Sequence, residues 1–137
     1  MISFEGFSPA EGSPIYLQIV RYVQRRLVAG TIRPGDELPS RRALSALLGV
    51  NPNTIQKACR MLEEEGIITS HTGAKSLVAA DAAVTARVRQ ELLEYDAGTL
   101  VRGLKEMGIP RTQALDVVAR LWDAPQAGAV SYTHLTL

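Results

Sequence analysis

The sequence has little of several residue types, and each shortage removes a class of function. Its single cysteine, Cys59, excludes an intramolecular disulfide and a cysteine-based zinc site. Its two histidines, His71 and His134, have no nucleophile or carboxylate at a recognisable spacing, so neither catalysis nor a metal site has support. We therefore expect no enzyme activity, no cofactor and no bound metal.

Long apolar runs are also missing. No stretch approaches the roughly 18 consecutive apolar residues of a membrane-spanning helix, and residues 1–13 resemble no signal peptide. We expect a cytoplasmic protein with no membrane contact. Aromatic residues make up only 5% of the 137 residues, so the core must be aliphatic. This composition favours an α-rich fold of one domain plus a small appendage.

The charge is nearly balanced, which excludes a uniformly basic protein. Residues 1–80 carry nine Lys and Arg against seven Asp and Glu, and residues 81–137 carry six against seven. This asymmetry indicates nucleic-acid binding only if the basic groups share one surface.

A first helix is predicted after an N-terminal arm, residues 1–13. Ser13 and Pro14 match an N-cap followed by proline at the first helical position, and apolar residues recur until Gly30. A turn at residues 34–36 and a short extended piece at residues 38–39 follow.

A short helix is predicted next. Ser40 caps it, Gly49 ends it, and its apolar face consists of Leu44, Leu47 and Leu48.

A third helix, residues 52–65, has Asn51 as N-cap and Pro52 at its first position. Its core face consists of Ile55, Ala58, Cys59 and Leu62. Two helices joined by so short a turn form a helix-turn-helix, whose second helix can enter the major groove of DNA.

The opposite face of the third helix is hydrogen-bonding and basic. It consists of Asn53, Gln56, Lys57 and Arg60. Asn, Gln and Arg make bidentate contacts to purine edges, and Lys mainly neutralises phosphate. A polar face is equally expected of any solvent-facing helix, but the acids cluster at residues 63–65, which favours DNA contact at the N-terminal half.

Two arginines, Arg41 and Arg42, fall in the first turn of the short helix, where backbone N–H groups favour an anion. They are interpreted as phosphate contacts, with two solvated arginines as the alternative. Cys59 is interpreted as a buried thiol rather than a redox sensor.

Residues 67–70 and 76–78 are predicted to be two short strands joined by a hairpin around residues 72–73. Helical periodicity resumes from Asp81. It indicates a long helix interrupted or bent near Gly98 and ended by Gly108, then a final helix. The tail, residues 124–137, receives no role, either as a loose end or as a segment foreign to the natural protein.

Three stretches resemble the GntR family of transcriptional regulators. They are Pro14-Ile15-Tyr16-Leu17-Gln18-Ile19, Ile32 to Arg42, and Gly49-Val50-Asn51-Pro52-Asn53-Thr54. The resemblance covers residues 10–79, and with a short helical C-terminal region it is similar to the YtrA-type subfamily. It implies a winged helix-turn-helix that binds an operator, usually as a repressor and often of transporter genes.

The resemblance also implies which residues approach DNA. These are Arg42, Asn51, Asn53, Thr54, Gln56, Lys57 and Gly73. With Ser40, Arg41, Arg60 and Lys75 they form the predicted DNA-binding set. The hairpin lacks the arginine that relatives carry near its tip, so we expect Lys75, and His71 if protonated, to touch the phosphate backbone rather than read bases.

The C-terminal helices are predicted to form a homodimer, because two helices cannot cover each other's apolar area. The alternative is a monomer in which these helices fold back on the winged-helix domain. The interface residues are Val84, Val88, Leu92, Tyr95, Leu100, Leu104, Met107, Leu115, Val118 and Trp122. A two-fold pair sets two recognition helices against double-stranded DNA, so the operator should be an inverted repeat. A small-molecule effector, if one exists, is expected at the subunit interface.

The predicted fold class is therefore mainly α with a small β-wing. Residues 14–80 form a winged helix-turn-helix, and residues 81–123 a two-helix dimerisation or effector region. Two alternatives stay open. One is a winged helix that binds protein rather than DNA, and the other is a fragment of a longer regulator with an aminotransferase-like domain.

Overall fold

The computed structural model describes residues 1–71 and 75–125, and in these residues the chain is mainly helical with a small antiparallel sheet. The elements are α1 (Ile15–Ala29), β1 (Glu37–Leu38), α2 (Arg41–Leu48), α3 (Pro52–Glu64), β2 (Ile68–His71), β3 (Lys75–Val78), α4 (Ala82–Glu106) and α5 (Arg111–Trp122). The chain divides into two compact units, Met1–Glu94 and a second that begins at Tyr95. The predicted fold class is confirmed.

Helix α1 has one buried face, formed by Ile19, Val23 and Leu27. It ends as predicted at Gly30, whose φ of 79° places it in the left-handed region. The predicted start is wrong by one residue. Pro14, not Ser13, occupies the N-cap position, and the Ser13 carbonyl accepts a hydrogen bond from the Gln18 side chain at 2.9 Å.

The helix-turn-helix boundaries follow the predicted caps. The Ser40 hydroxyl accepts from Ala43 N at 3.1 Å, and the Asn51 side chain accepts from Asn53 N at 2.7 Å. The core face of α3 is buried as predicted, at Ile55, Ala58, Cys59 and Leu62.

One residue of α2 departs from its predicted place. Leu44 is buried, but Leu47 is 66% exposed. Helix α2 has only eight residues, so only a narrow stripe of its surface faces the core, and Leu47 lies outside that stripe. Leu48, one turn after Leu44, is the residue that packs against the core edge.

The sheet has three strands in the order β1-β3-β2. Ile68 pairs with Val78 in the β2–β3 hairpin, and Leu38 pairs with Ser76 in the β1–β3 ladder. The hairpin was predicted, but β1 was predicted only as an extended piece, because two residues show no alternation.

The N-terminal arm, residues 1–13, packs against α1 and β1 within the first unit. Ile2 and Phe4 are buried, and Ile2 N donates to the Glu37 carbonyl at 2.7 Å. Phe4 stacks on Tyr22 with ring centroids 5.0 Å apart. The arm therefore extends the core of this unit.

Helix α4 runs without interruption through Gly98, contrary to the predicted break. A glycine inside a helix costs only about 1 kcal/mol relative to alanine, which is too little by itself to end a helix of 25 residues. The helix begins at an aspartate cap, in which Val84 N donates to the Asp81 carboxylate at 2.9 Å.

At the start of α4, the predicted dimer surface differs from the structure. Val88 and Leu92 are buried in the core of the first unit, and Val84 packs against that core. These three side chains were predicted to lie on a stripe left exposed by the monomer, and that prediction is wrong. The winged-helix core takes up this apolar area itself.

Candidate nucleic-acid interface

The turn between α2 and α3 is fixed by local hydrogen bonds. Gly49 adopts a φ of 66° at the end of α2, a conformation that suits glycine. The Ser45 hydroxyl donates to the Val50 carbonyl at 2.6 Å. Asn51 then caps α3, so its side-chain oxygen is used inside the turn. Residues within or next to the predicted interface therefore fix the turn that leads into α3.

The outward face of α3 carries the predicted contact residues. Asn53, Lys57 and Arg60 are exposed, and Thr54 and Gln56 are half-buried. The Lys57 ammonium group lies 4.2 Å from the centroid of the Tyr16 ring, a cation–π contact with α1 that the sequence analysis missed. Tyr16 carried no signal for this role, because its partner is on another helix.

A cleft between α2 and α3 brings side chains of the two helices together. Its volume is about 560 Å³, and its lining consists of Arg41, Arg42, Ser45, Ala46, Pro52, Asn53 and Gln56. Arg42 is exposed at its edge. The cleft therefore combines a phosphate-binding type of side chain with two types that read base edges.

Ser40 and Arg41 of the predicted DNA-binding set also have partners inside the protein. Ser40 caps α2, and the Arg41 guanidinium is 2.6 Å from the Glu63 carboxylate. Arg41 also donates to the Ser70 hydroxyl at 3.3 Å. Sequence reasoning missed Glu63 and Ser70, because they lie 22 and 29 residues from Arg41 and no local periodicity links them.

The wing presents one cation and one histidine. Lys75 is exposed, with its Nζ 3.8 Å from the Glu37 carboxylate. His71 is also exposed, and its Nε2 lies 3.1 Å from the Thr69 hydroxyl. Gly73, predicted at the wing tip, lies outside the described residues, as do His134 and most of the tail.

Cys59 is buried beneath this surface, at 2% exposure. Burial raises the pKa of its thiol, and the neighbouring Arg41 guanidinium opposes that rise. A buried, neutral thiol is a weak nucleophile.

Residues 1–71 and 75–125 contain no cluster of three or more His, Cys, Asp or Glu side chains able to hold a metal ion. No helix in these ranges combines the length and apolar character needed to cross a membrane.

The second unit carries an apolar groove of about 620 Å³ between α4 and α5. It is lined by Leu100, Leu104, Met107, Ile109, Gln113, Ala114, Val117, Val118, Leu121 and Trp122. Of the predicted dimer residues in this unit, Leu104 is half-buried and the others are exposed, namely Tyr95, Leu100, Met107, Leu115, Val118 and Trp122. Two helices do leave apolar area uncovered on this unit.

Comparison with known proteins gives consistent matches. The model of the family described as bacterial regulatory proteins, gntR family, matches residues 15–78. The uncharacterized HTH-type transcriptional regulator YhcF of Bacillus subtilis is 34% identical over 103 residues, which span 75% of this chain and 85% of that protein. The HTH-type transcriptional repressor YtrA of the same organism is 39% identical over 77 residues, 56% of this chain and 59% of the repressor.

A solved structure matches most of the chain. A GntR family transcriptional regulator from Listeria monocytogenes superposes with a TM-score of 0.72 at 30% identity. The match covers 82% of this chain and 98% of that one. It therefore includes the helical C-terminal region as well as the winged helix.

Proposed function

The chain belongs to the GntR family of bacterial DNA-binding transcriptional regulators, and on this premise we propose that it is a repressor that binds an inverted-repeat operator as a homodimer. Transporter genes are the proposed targets, and the cytoplasm is its proposed location. In this proposal residues 14–80 bind DNA, and the dimer forms through the part of the helical region, predicted at residues 81–123, that begins at Tyr95.

One observation carries the proposal. The cleft between α2 and α3 places Arg42 beside Asn53 and Gln56, on the side of α3 opposite its buried stripe. A phosphate contact from Arg42 would fix the register of the helix on the duplex, and the two amides are then placed to read base edges. The first turn of α3 contains no acidic residue, so nothing there repels the backbone.

The remaining residues of the predicted set have supporting roles in this proposal. Lys57 and Arg60 extend the polar face along α3, and Thr54 flanks it. Lys75 reaches the phosphate backbone from the wing together with the backbone at Gly73. Ser40 and Asn51 act by capping α2 and α3, which presents the helix N-termini to DNA.

The dimer is proposed to form through the second unit. Met107 is 68% exposed and Trp122 is 81% exposed, and a partner copy would cover them. A two-fold pair would place two recognition helices about 34 Å apart on one face of DNA. A small-molecule effector, if one exists, would bind at the interface between the two copies.

Selection of random-sequence duplexes tests the proposal. The purified chain is incubated with a pool of 40-base-pair duplexes of random sequence, and the bound fraction is amplified and sequenced over several rounds. Enrichment of a two-fold symmetric sequence is expected. A bound pool that stays random after many rounds would reject operator binding and favour the protein-binding alternative.

A further inference from the structure

Arg41 lies where three elements of the first unit meet. Its Nη2 atom is 2.6 Å from a Glu63 carboxylate oxygen and 3.3 Å from the Ser70 hydroxyl. The Ser70 hydroxyl donates to the same Glu63 oxygen at 2.7 Å. Arg41 belongs to α2, Glu63 to α3 and Ser70 to β2. We call these three residues the Arg41 bridge.

The bridge continues into the second strand of the wing. The Ser70 hydroxyl lies 3.4 Å from the hydroxyl of Ser76, which is buried on β3. The Arg41 Nε atom is buried as well, so one edge of the guanidinium faces the protein interior. Both wing strands are thus connected through Arg41 and Glu63 to the recognition helix.

The two adjacent arginines differ in their surroundings. Arg42 is exposed and makes no ion pair with a residue in the described ranges, so its charge is free to meet a phosphate. Arg41 is already neutralised by Glu63. If Arg41 turned to a phosphate, Glu63 would lose its counter-charge next to the DNA backbone, which repels a carboxylate.

We propose that Arg41 is a positioning residue, which holds the wing at a fixed angle to α3 so that both approach DNA as one rigid piece. Arg42 supplies the phosphate contact of this pair. The inference rests on the proposed function, because it assigns the two arginines different parts of the same DNA-binding surface. One guanidinium nitrogen, Nη2, donates to both Glu63 and Ser70, so loss of the Arg41 side chain breaks both contacts together.

Salt dependence separates a positioning residue from a phosphate contact. Binding weakens as salt rises, so log K plotted against log salt has a negative slope, and the salt slope below means its magnitude. Each lost phosphate contact lowers this magnitude by about one unit. The probe is the duplex that the parent chain selects from the random pool, measured by fluorescence anisotropy at several salt concentrations. Arg42→Ala should lower the slope by about one. Arg41→Ala should weaken binding roughly three- to tenfold with the parent slope, as expected for loss of one coupled contact.

A second pair of variants tests the bridge with little risk to folding. Glu63→Gln removes the charge that holds Arg41, and Glu64→Gln makes the same charge change on an exposed neighbour. We expect Glu63→Gln to bind the selected duplex more weakly than Glu64→Gln does. The double variant Arg41→Ala/Glu63→Gln should bind no more weakly than Arg41→Ala alone, because both changes break one bridge.

Hydrogen exchange supplies a readout that needs no DNA. The amides of β2 and β3 should exchange faster in Arg41→Ala than in Arg42→Ala, while the buried amides of α1 stay equal in both. If the parent selects no sequence, the proposed function fails, and this comparison still tests the bridge.

Three results would overturn the inference. They are a slope lowered by one unit in Arg41→Ala, binding by Glu63→Gln that is as tight as or tighter than binding by Glu64→Gln, and equal exchange of the wing amides in the two arginine variants.

Discussion

The hydroxyl of Ser45 donates a 2.6 Å hydrogen bond to the carbonyl of Val50 and so closes the turn of the helix-turn-helix. Ser45→Ala leaves that carbonyl without its side-chain donor, a loss of about 1 kcal/mol that the higher helix propensity of alanine partly offsets. We expect a net loss of about 0.5 kcal/mol in the free energy of unfolding, measured by urea denaturation. Ser8→Ala, which removes an exposed hydroxyl from the arm, is the control. Equal midpoints for the two variants would contradict this role.

We expect the ammonium group of Lys57 to contribute charge, rather than sequence preference, to DNA binding. Lys57→Met keeps an unbranched stem over the Tyr16 ring and removes the charge. Affinity should fall by a similar factor for every duplex, and the salt slope should fall by about one unit. Lys105→Met is the matched control, because Lys105 lies on α4 outside the proposed DNA interface, and it should keep the parent salt slope. A sequence-dependent loss in Lys57→Met would show that Lys57 reads bases.

Burial of Cys59 predicts a stability change at high pH. Its thiol pKa is raised above the ordinary value of 9.0. Above that pH the unfolded chain releases the proton first, so stability is lost as pH rises from about 9 through the folded-state pKa. Cys59→Ala should cost about 1 to 2 kcal/mol at neutral pH and lack this part of the alkaline loss.

The measurement is urea denaturation of both proteins from pH 7 to pH 10.5, because ionisations common to the two cancel in the difference. A parallel decline of both curves would contradict a raised thiol pKa. DNA binding that responds to oxidant only when Cys59 is present would overturn the interpretation of this thiol as a core residue.

The second unit is predicted to hold the dimer together. Leu115 and Leu93 are both 53% exposed, but only Leu115 belongs to the predicted interface. Leu115→Asp should give the mass of a monomer in sedimentation at micromolar concentration, because burying a carboxylate in an apolar interface is costly. Leu93→Asp should leave the dimer intact. A monomeric parent chain, or a Leu115→Asp dimer, would contradict the proposed interface.

Local signals allowed the helix-turn-helix to be predicted. Ser40, Gly49 and Asn51 each satisfy backbone groups within a few residues of their own position, so their roles follow from sequence alone. The α3 core stripe follows in the same way from helical periodicity.

Contacts between distant segments were not predictable. Val88 and Leu92 have the same spacing whether they meet a second copy or the core of their own unit, and only the folded chain shows that they meet the core. Arg41 likewise lacks any local sign of Glu63. Periodicity identifies a face, but it does not identify the surface that the face contacts.

If α3 reads DNA sequence, the base preference of Gln56→Ala should differ from that of the parent chain. Parent and variant are put through the same duplex selection, and the binding energy of each base change is compared position by position. Both proteins should select an inverted repeat, and the variant should lose about 1 to 3 kcal/mol of discrimination at one symmetry-related pair of positions. An unchanged profile for Gln56→Ala, with the parent still selective, would show that Gln56 does not read bases.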